Sequence, residues 1–278
     1  MKKKRKINLL SVFCVLLCLI GLGVMLYPTA NDYYLRWEAV REIEKYNEVV
    51  EGMKADYSEI WAAAEEYNRL LAEGNEFTVS VSPEYREYIS QFLNVQGTGM
   101  MGYISIPKIN IYLPIYQGTQ ESALQAGVGY WIGTSLPTGG PSTHCVLTAH
   151  TGLVKAKMFT DLDQMETGDT FQLTVLDRVL TYQVDQILVV EPDDFEPLEI
   201  VQGEDYVTLY TCTPYGINTH RLLVRGTRIP TPVDSTPLAA EVQASLMMPI
   251  LIAVLVLILL LAIFLFRRKK KKKKETAE

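Results

Sequence analysis

Two apolar runs, residues 7–27 and 246–266, most constrain what this chain can be. Each is about 20 residues long, the length a helix needs to cross a hydrocarbon layer of roughly 30 Å. Lys2, Lys3, Lys4, Arg5 and Lys6 precede the first run, and Arg267, Arg268 and Lys269 through Lys274 follow the second. Positive flanks stay on the cytoplasmic side. Both termini are therefore expected inside the cell membrane and residues 28–245 outside. A basic start followed by an apolar run also describes a cleaved secretory signal. The length of the run and the poor cleavage sequence Pro28-Thr29-Ala30 favour an anchor.

The expected exterior part carries 13 Lys and Arg against 30 Asp and Glu. So acidic a body lacks the basic footprint that nucleic acid requires. Of the four cysteines, Cys14 and Cys18 fall inside the first apolar run. Cys145 and Cys212 fall outside, where a disulfide is chemically permitted.

Residues 33–71 are helix-friendly and charged, punctuated by Gly52 and Gly74. Asn31-Asp32 offers a helix cap. Two helices, or one long broken one, are expected, with Trp37, Val40, Ile43 and Tyr46 at helical spacing as a face that packs on the body or holds it off the membrane. Residues 83–92 read as a further short helix. From Met101 the texture changes to short runs of Ile, Val, Thr, Leu and Tyr between Gly, Pro and Asn turns. Strands are expected at 102–106, 111–115, 143–149, 170–176, 179–190, 207–212 and 221–229, with a tight hairpin at residues 176–179. Seven or eight short strands with few helices imply a small closed β-barrel or a sandwich. The organisation read from this is a basic start and anchor (1–30), a helical region (31–98), a β domain (99–230), a linker (231–245), a second membrane helix (246–266) and a basic cytoplasmic tail (267–278).

Chemistry concentrates in TLYTCTPYGINTHRLLVRG, residues 208–226. Side chains alternate along a strand, so Thr208, Tyr210 and Cys212 share one face, and Arg221, Leu223 and Arg225 share one on the return. A hairpin centred between Gly216 and Ile217 sets Cys212 opposite Arg221. An adjacent guanidinium favours a thiolate and can donate to an oxyanion. Cysteine chemistry also needs a proton carrier. His150 ends the apolar run CVLTAH just as Cys212 ends its own strand. Cys145, five positions from His150, faces the other way, which argues against a Cys145–Cys212 bridge. His144 shares the parity of His150, but six residues of strand separate them by about 20 Å. No close ligand pair for zinc appears. Thr211, Tyr215, Tyr130 and Trp131 are candidates for shaping or lining a substrate groove.

The phrase TLYTC with Arg nine positions on, together with an upstream TAHTG, resembles the sortase family. TLYTCTPYGINTHRLLVRGTR, MGYISIPKINIYLPIYQGT and HCVLTAHTGL are similar to class C, the pilin-polymerising sortases of Gram-positive bacteria. The resemblance spans about residues 94–230 and implies an eight-stranded β-barrel. It implies Cys212 as nucleophile, His150 as general acid/base and Arg221 as the oxyanion and substrate-positioning residue, with no cofactor. It further implies transpeptidation: a thiol-protease-like cleavage of a Leu-Pro-x-Thr-Gly sorting signal, then transfer to a pilin lysine in pilus assembly. A housekeeping sortase that attaches surface proteins to a cell-wall precursor is the alternative within the family. A non-catalytic membrane assembly factor is the alternative outside it. Two features depart from the family pattern: Ala149 and Thr151 flank His150, and no Asp-Pro-aromatic lid tripeptide occurs between residues 31 and 97, where Pro83-Glu84-Tyr85 comes nearest.

Overall fold

Eight strands close into a barrel in the order β1-β2-β3-β4-β7-β8-β6-β5. The structure is a computed structural model describing residues 9–53, 56–74, 82–153 and 156–232, without the side chains of residues 9–12, 14–16, 18, 19 and 22. The strands are β1 (Met100–Ile106), β2 (Ile111–Gln117), β3 (Val128–Tyr130), β4 (Thr143–Thr148), β5 (Thr170–Val175), β6 (Arg178–Val190), β7 (Asp205–Thr213) and β8 (His220–Ile229). Seven of them match the seven expected runs. The eighth, β3, has three residues and was not legible. β2–β3 and β4–β7 pair parallel, and every other neighbour is antiparallel. The tight hairpin is present one residue earlier than expected: Leu176-Asp177 link the paired Val175 and Arg178, with Leu176 at φ +48°.

Period-two alternation fills the barrel. Cys145 and Leu147 of β4, Val207 and Leu209 of β7, and Leu222 and Val224 of β8 all point inward and are buried. Phe171 and Tyr182 stack inside at 5.6 Å between ring centroids. Gly102 sits where the β1–β2 register shifts. A Cβ there would strike the backbone oxygen of Thr174 and lie 3.1 Å from Val175 Cγ2. Relief would require β5 to move off β1. Gly102→Ala is therefore expected to cost roughly 1–3 kcal/mol, read as a lower urea midpoint at unchanged slope.

Helices α1 (Leu9–Met53), α2 (Ser58–Gly74) and α3 (Pro83–Ile89) precede the barrel, and α4 (Glu121–Ala126) joins β2 to β3. The expected helix start at Asn31-Asp32 does not occur. α1 runs straight through both residues and through Pro28, and Asp32 instead accepts from Arg36 Nε at 2.9 Å and from Lys157 N at 2.8 Å. Val40, Ile43 and Tyr46 are buried as expected, but Trp37 is 46% exposed. Nine residues at 100° each carry Trp37 half a turn away from Tyr46, and its ring packs against Arg41. α3 starts on Ser82, whose hydroxyl accepts from Tyr85 N, with Pro83 in its first turn; this is a standard N-terminal signal.

The helices share the barrel's core. Tyr46 donates to Met101 O (3.1 Å) and accepts from Leu176 N (2.9 Å). Trp61 Nε1 donates to Asp177 (2.8 Å) beneath the Arg178 guanidinium. Buried Asn68 receives Leu136 N and donates to Leu136 O and Thr138 Oγ1. One apolar cluster runs from Ala39, Trp61 and Tyr67 into Ile104, Leu147 and Val224. The chain divides into units 1–235 and 236–278, the second of which lies outside the described residues. Among the described residues no helix is long and apolar enough to cross a membrane. The expected anchor at 246–266 falls wholly outside them, and that at 7–27 falls partly outside them.

Candidate active site

Three strand ends meet at one pole of the barrel. β7 and β8 pair with Tyr210 opposite Leu223 and Cys212 opposite Arg221, the register inferred from the hairpin sequence. β4 and β7 pair parallel with Val146 beside Thr208 and Thr148 beside Tyr210. The tie continues past the end of β4: Ala149 N donates to Tyr210 O (3.3 Å), and Thr211 Oγ1 donates to Ala149 O (2.7 Å). The same offset carried two residues on brings His150 beside Cys212. His150 follows two residues past the last β4–β7 pair, on the parity of the outer face that carries the directly paired Cys212 and Arg221; continued straight, the offset sets the three in one transverse row about one strand spacing, 4.8 Å, apart.

Below that row the outer face is apolar. Val146, Tyr210 and Leu223 form a cluster with Leu198, flanked by Trp131, Leu188, Val190 and Phe195. Trp131 packs edge-on against Tyr210 at 5.0 Å and Phe195 at 6.0 Å. This face is packed rather than open: the loop 191–204 lays Leu198 and Phe195 over it, next to the strand ends that carry the thiol. Arg221 Nη1 donates to Asn218 O (3.1 Å) and His220 O (3.0 Å), which fixes the guanidinium over its own turn. Burial pushes the Tyr210 phenol up, and the Arg221 guanidinium beside it pulls it back. His150 Nε2 is buried without a hydrogen-bond partner, 3.6 Å from Glu121 Oε2 at the start of α4.

The expected groove residues divide. Trp131 lies on this outer face, packed against the apolar cluster. Tyr130 does not: it pairs with Leu147, points inward, is 0% exposed and donates its hydroxyl to Thr134 O. One residue of strand separates the two faces, so Tyr130 is a core residue. Thr211 is likewise buried and acts through the Ala149 carbonyl rather than by facing a ligand. Tyr215 is 67% exposed in the β7–β8 turn, its ring against Gly152 beyond His150. Cys145 is buried and free, and Cys212 is free and partly exposed; burial pushes the Cys145 thiol well up. Among the described residues no group of His, Cys, Asp and Glu could hold a metal ion.

A family model described as the sortase domain matches residues 104–229. Sortase C1 from Streptococcus agalactiae is 47% identical, with 69% of this chain and 100% of that chain covered at a TM-score of 0.66. The chain belongs to the sortase family. A sortase C of Streptococcus pneumoniae is also 47% identical over 69% of this chain and 100% of its own, with a TM-score of 0.55. These relatives are sortases of class C, as the sequence resemblance implied. Among curated relatives, sortase D of Bacillus subtilis is 29% identical over 46% of this chain, and sortase A of Streptococcus agalactiae 30% over 41%. The matches span 63% and 47% of those two proteins' own lengths.

One residue of this sortase escaped functional reading from sequence. His144 is 1% exposed, and burial depresses its imidazole to about 4. A folded-state value below the unfolded 6.5 means that folding requires the neutral ring. Its contribution is complete above pH 6.5 and is lost as pH falls towards 4, roughly 3 kcal/mol in all. Urea melts of the wild type should lose that stability between those limits, and His144→Gln should remove this part of the slope.

Proposed function

We propose that this sortase is a membrane-held cysteine transpeptidase that cleaves a Leu-Pro-x-Thr-Gly-like sorting signal and joins the acyl group to a lysine of a pilin subunit. The shared row of His150, Cys212 and Arg221 carries the reading. The Cys212 thiolate attacks the threonine carbonyl carbon, and Arg221 donates to the oxygen as it becomes an anion. The C–N bond breaks, and His150 protonates the departing glycine amine. A thioester remains. An incoming lysine amine attacks the same carbonyl, the C–S bond breaks, and His150 takes the amine's proton.

The pilin acceptor is supported by likeness to class C. One such relative is described as belonging to a pilus island and another in terms of pilin substrate specificity. The membrane location, with both termini cytoplasmic and the barrel outside, rests on the two apolar runs and their basic flanks. Tethering raises the effective concentration of enzyme and substrate at one surface.

The test is incubation of the full-length protein, in vesicles, with a purified pilin bearing the signal. A ladder of covalent oligomers is expected. Single attachment to a small cell-wall amine would favour surface-protein anchoring. Amine-independent hydrolysis would make the protein a protease, and full activity in Cys212→Ala would make it a non-catalytic assembly factor.

A further inference from the structure

His144 lies far from the reactive row, six residues before His150 on the same strand face. Both of its ring nitrogens are engaged. Nδ1 is 2.8 Å from Glu199 O, and Nε2 is 2.7 Å from Thr208 Oγ1. A carbonyl oxygen only accepts, so Nδ1 carries the proton and Nε2 accepts from the threonine hydroxyl. The ring packs edge-on against Tyr206 at 5.7 Å. Arg225 lies over Tyr206 at 4.1 Å and is held by both oxygens of Asp185 at 3.1 and 2.8 Å. This buried polar tie joins β4, β7 and the loop 191–204.

That loop covers the apolar outer face of β4, β7 and β8. Its Leu198 packs on Val146, Tyr210 and Leu223, and its Phe195 on Trp131. A leucine at position 144 would fill the space without the two bonds, but it would leave the Glu199 carbonyl unpaired where it is shielded from water. We infer that His144 is a positioning residue: it holds the loop 191–204 at a set height over β4 and β7 and so fixes the surface beside Cys212 on which the sorting-signal residues before the scissile bond lie. The inference rests on the acyl-transfer reading for what lies against the loop, but not for the tie itself. Staying neutral down to about 4 suits a fixed strut.

The experiment compares full-length wild type, His144→Leu and His144→Gln, the last offering an amide donor and acceptor in place of the ring. Acylation kinetics are measured with sorting-signal peptides carrying Leu or Ala at the first position, and hydrogen exchange is followed across residues 191–204. In His144→Leu, KM should rise about ten-fold, the scale of one lost buried hydrogen bond, with kcat little changed and the Leu-over-Ala preference reduced. Exchange should quicken in 191–204 and not in β7 or β8, and His144→Gln should restore both readouts. A wild-type KM and wild-type exchange in His144→Leu would overturn the inference. So would equal impairment in both variants, or faster exchange throughout the barrel. If the wild type forms no thioester with any peptide, the transpeptidase reading falls, and the exchange data alone decide whether His144 sets the loop.

Discussion

In Cys212→Ala, thioester formation with a sorting peptide should vanish, and turnover should fall by roughly 10⁴-fold or more, the scale seen when a covalent nucleophile is deleted. The methyl group retains the strand's Cβ, and Cys212 is only partly exposed at the end of β7. Stability should therefore stay within about 0.5 kcal/mol of wild type. Cys145→Ala makes the opposite pattern. Cys145 faces the packed interior, so its loss should cost about 1 kcal/mol and leave the thioester intact. Intact-mass spectrometry with peptide, alongside urea melts, reads both. A thioester in Cys212→Ala that disappears in Cys145→Ala would exchange their roles and dismantle the mechanism.

Arg221→Ala should lower kcat by about 10²–10³-fold, the effect of removing one oxyanion donor, with KM changed far less. Arg221→Lys should fall between the two. Two backbone carbonyls, Asn218 O and His220 O, already hold Nη1, and a guanidinium has further N–H groups to offer a developing oxyanion. A single ammonium has no rigid fork with which to satisfy both tasks. The ladder pairs the two residues' backbones directly, so both side chains leave the sheet at the same height on one face. Arg221→Ala with more than a third of wild-type kcat would show that the oxyanion is stabilised elsewhere.

Much of the barrel was legible because strand parity is a strict code. Apolar runs between turn residues located seven strands, and the hairpin alone set Cys212 against Arg221. β3 was hidden because three residues, Val-Gly-Tyr, are too few to show alternation. Tyr130 and Trp131 are adjacent, so assigning both to a groove broke the same parity that worked elsewhere. The position of His150 beside Cys212 depends on β4 and β7 pairing in parallel at an offset of 62 residues, and no local pattern announces a long-range offset. Trp37 was misassigned because spacing by three drifts around a helix. Asn31-Asp32 looks like a cap, yet α1 continues through it.

The single hydrophobic interior shared by the N-terminal helices and the barrel has a practical side. The segment recognised across relatives, 104–229, is not a unit that would survive excision. Cut there, the barrel would lose the tyrosine and tryptophan that seal its flank and expose a greasy wall prone to precipitate. A recombinant form meant for crystals or assays should keep the helical collar from at least the residues around Asp32 onward.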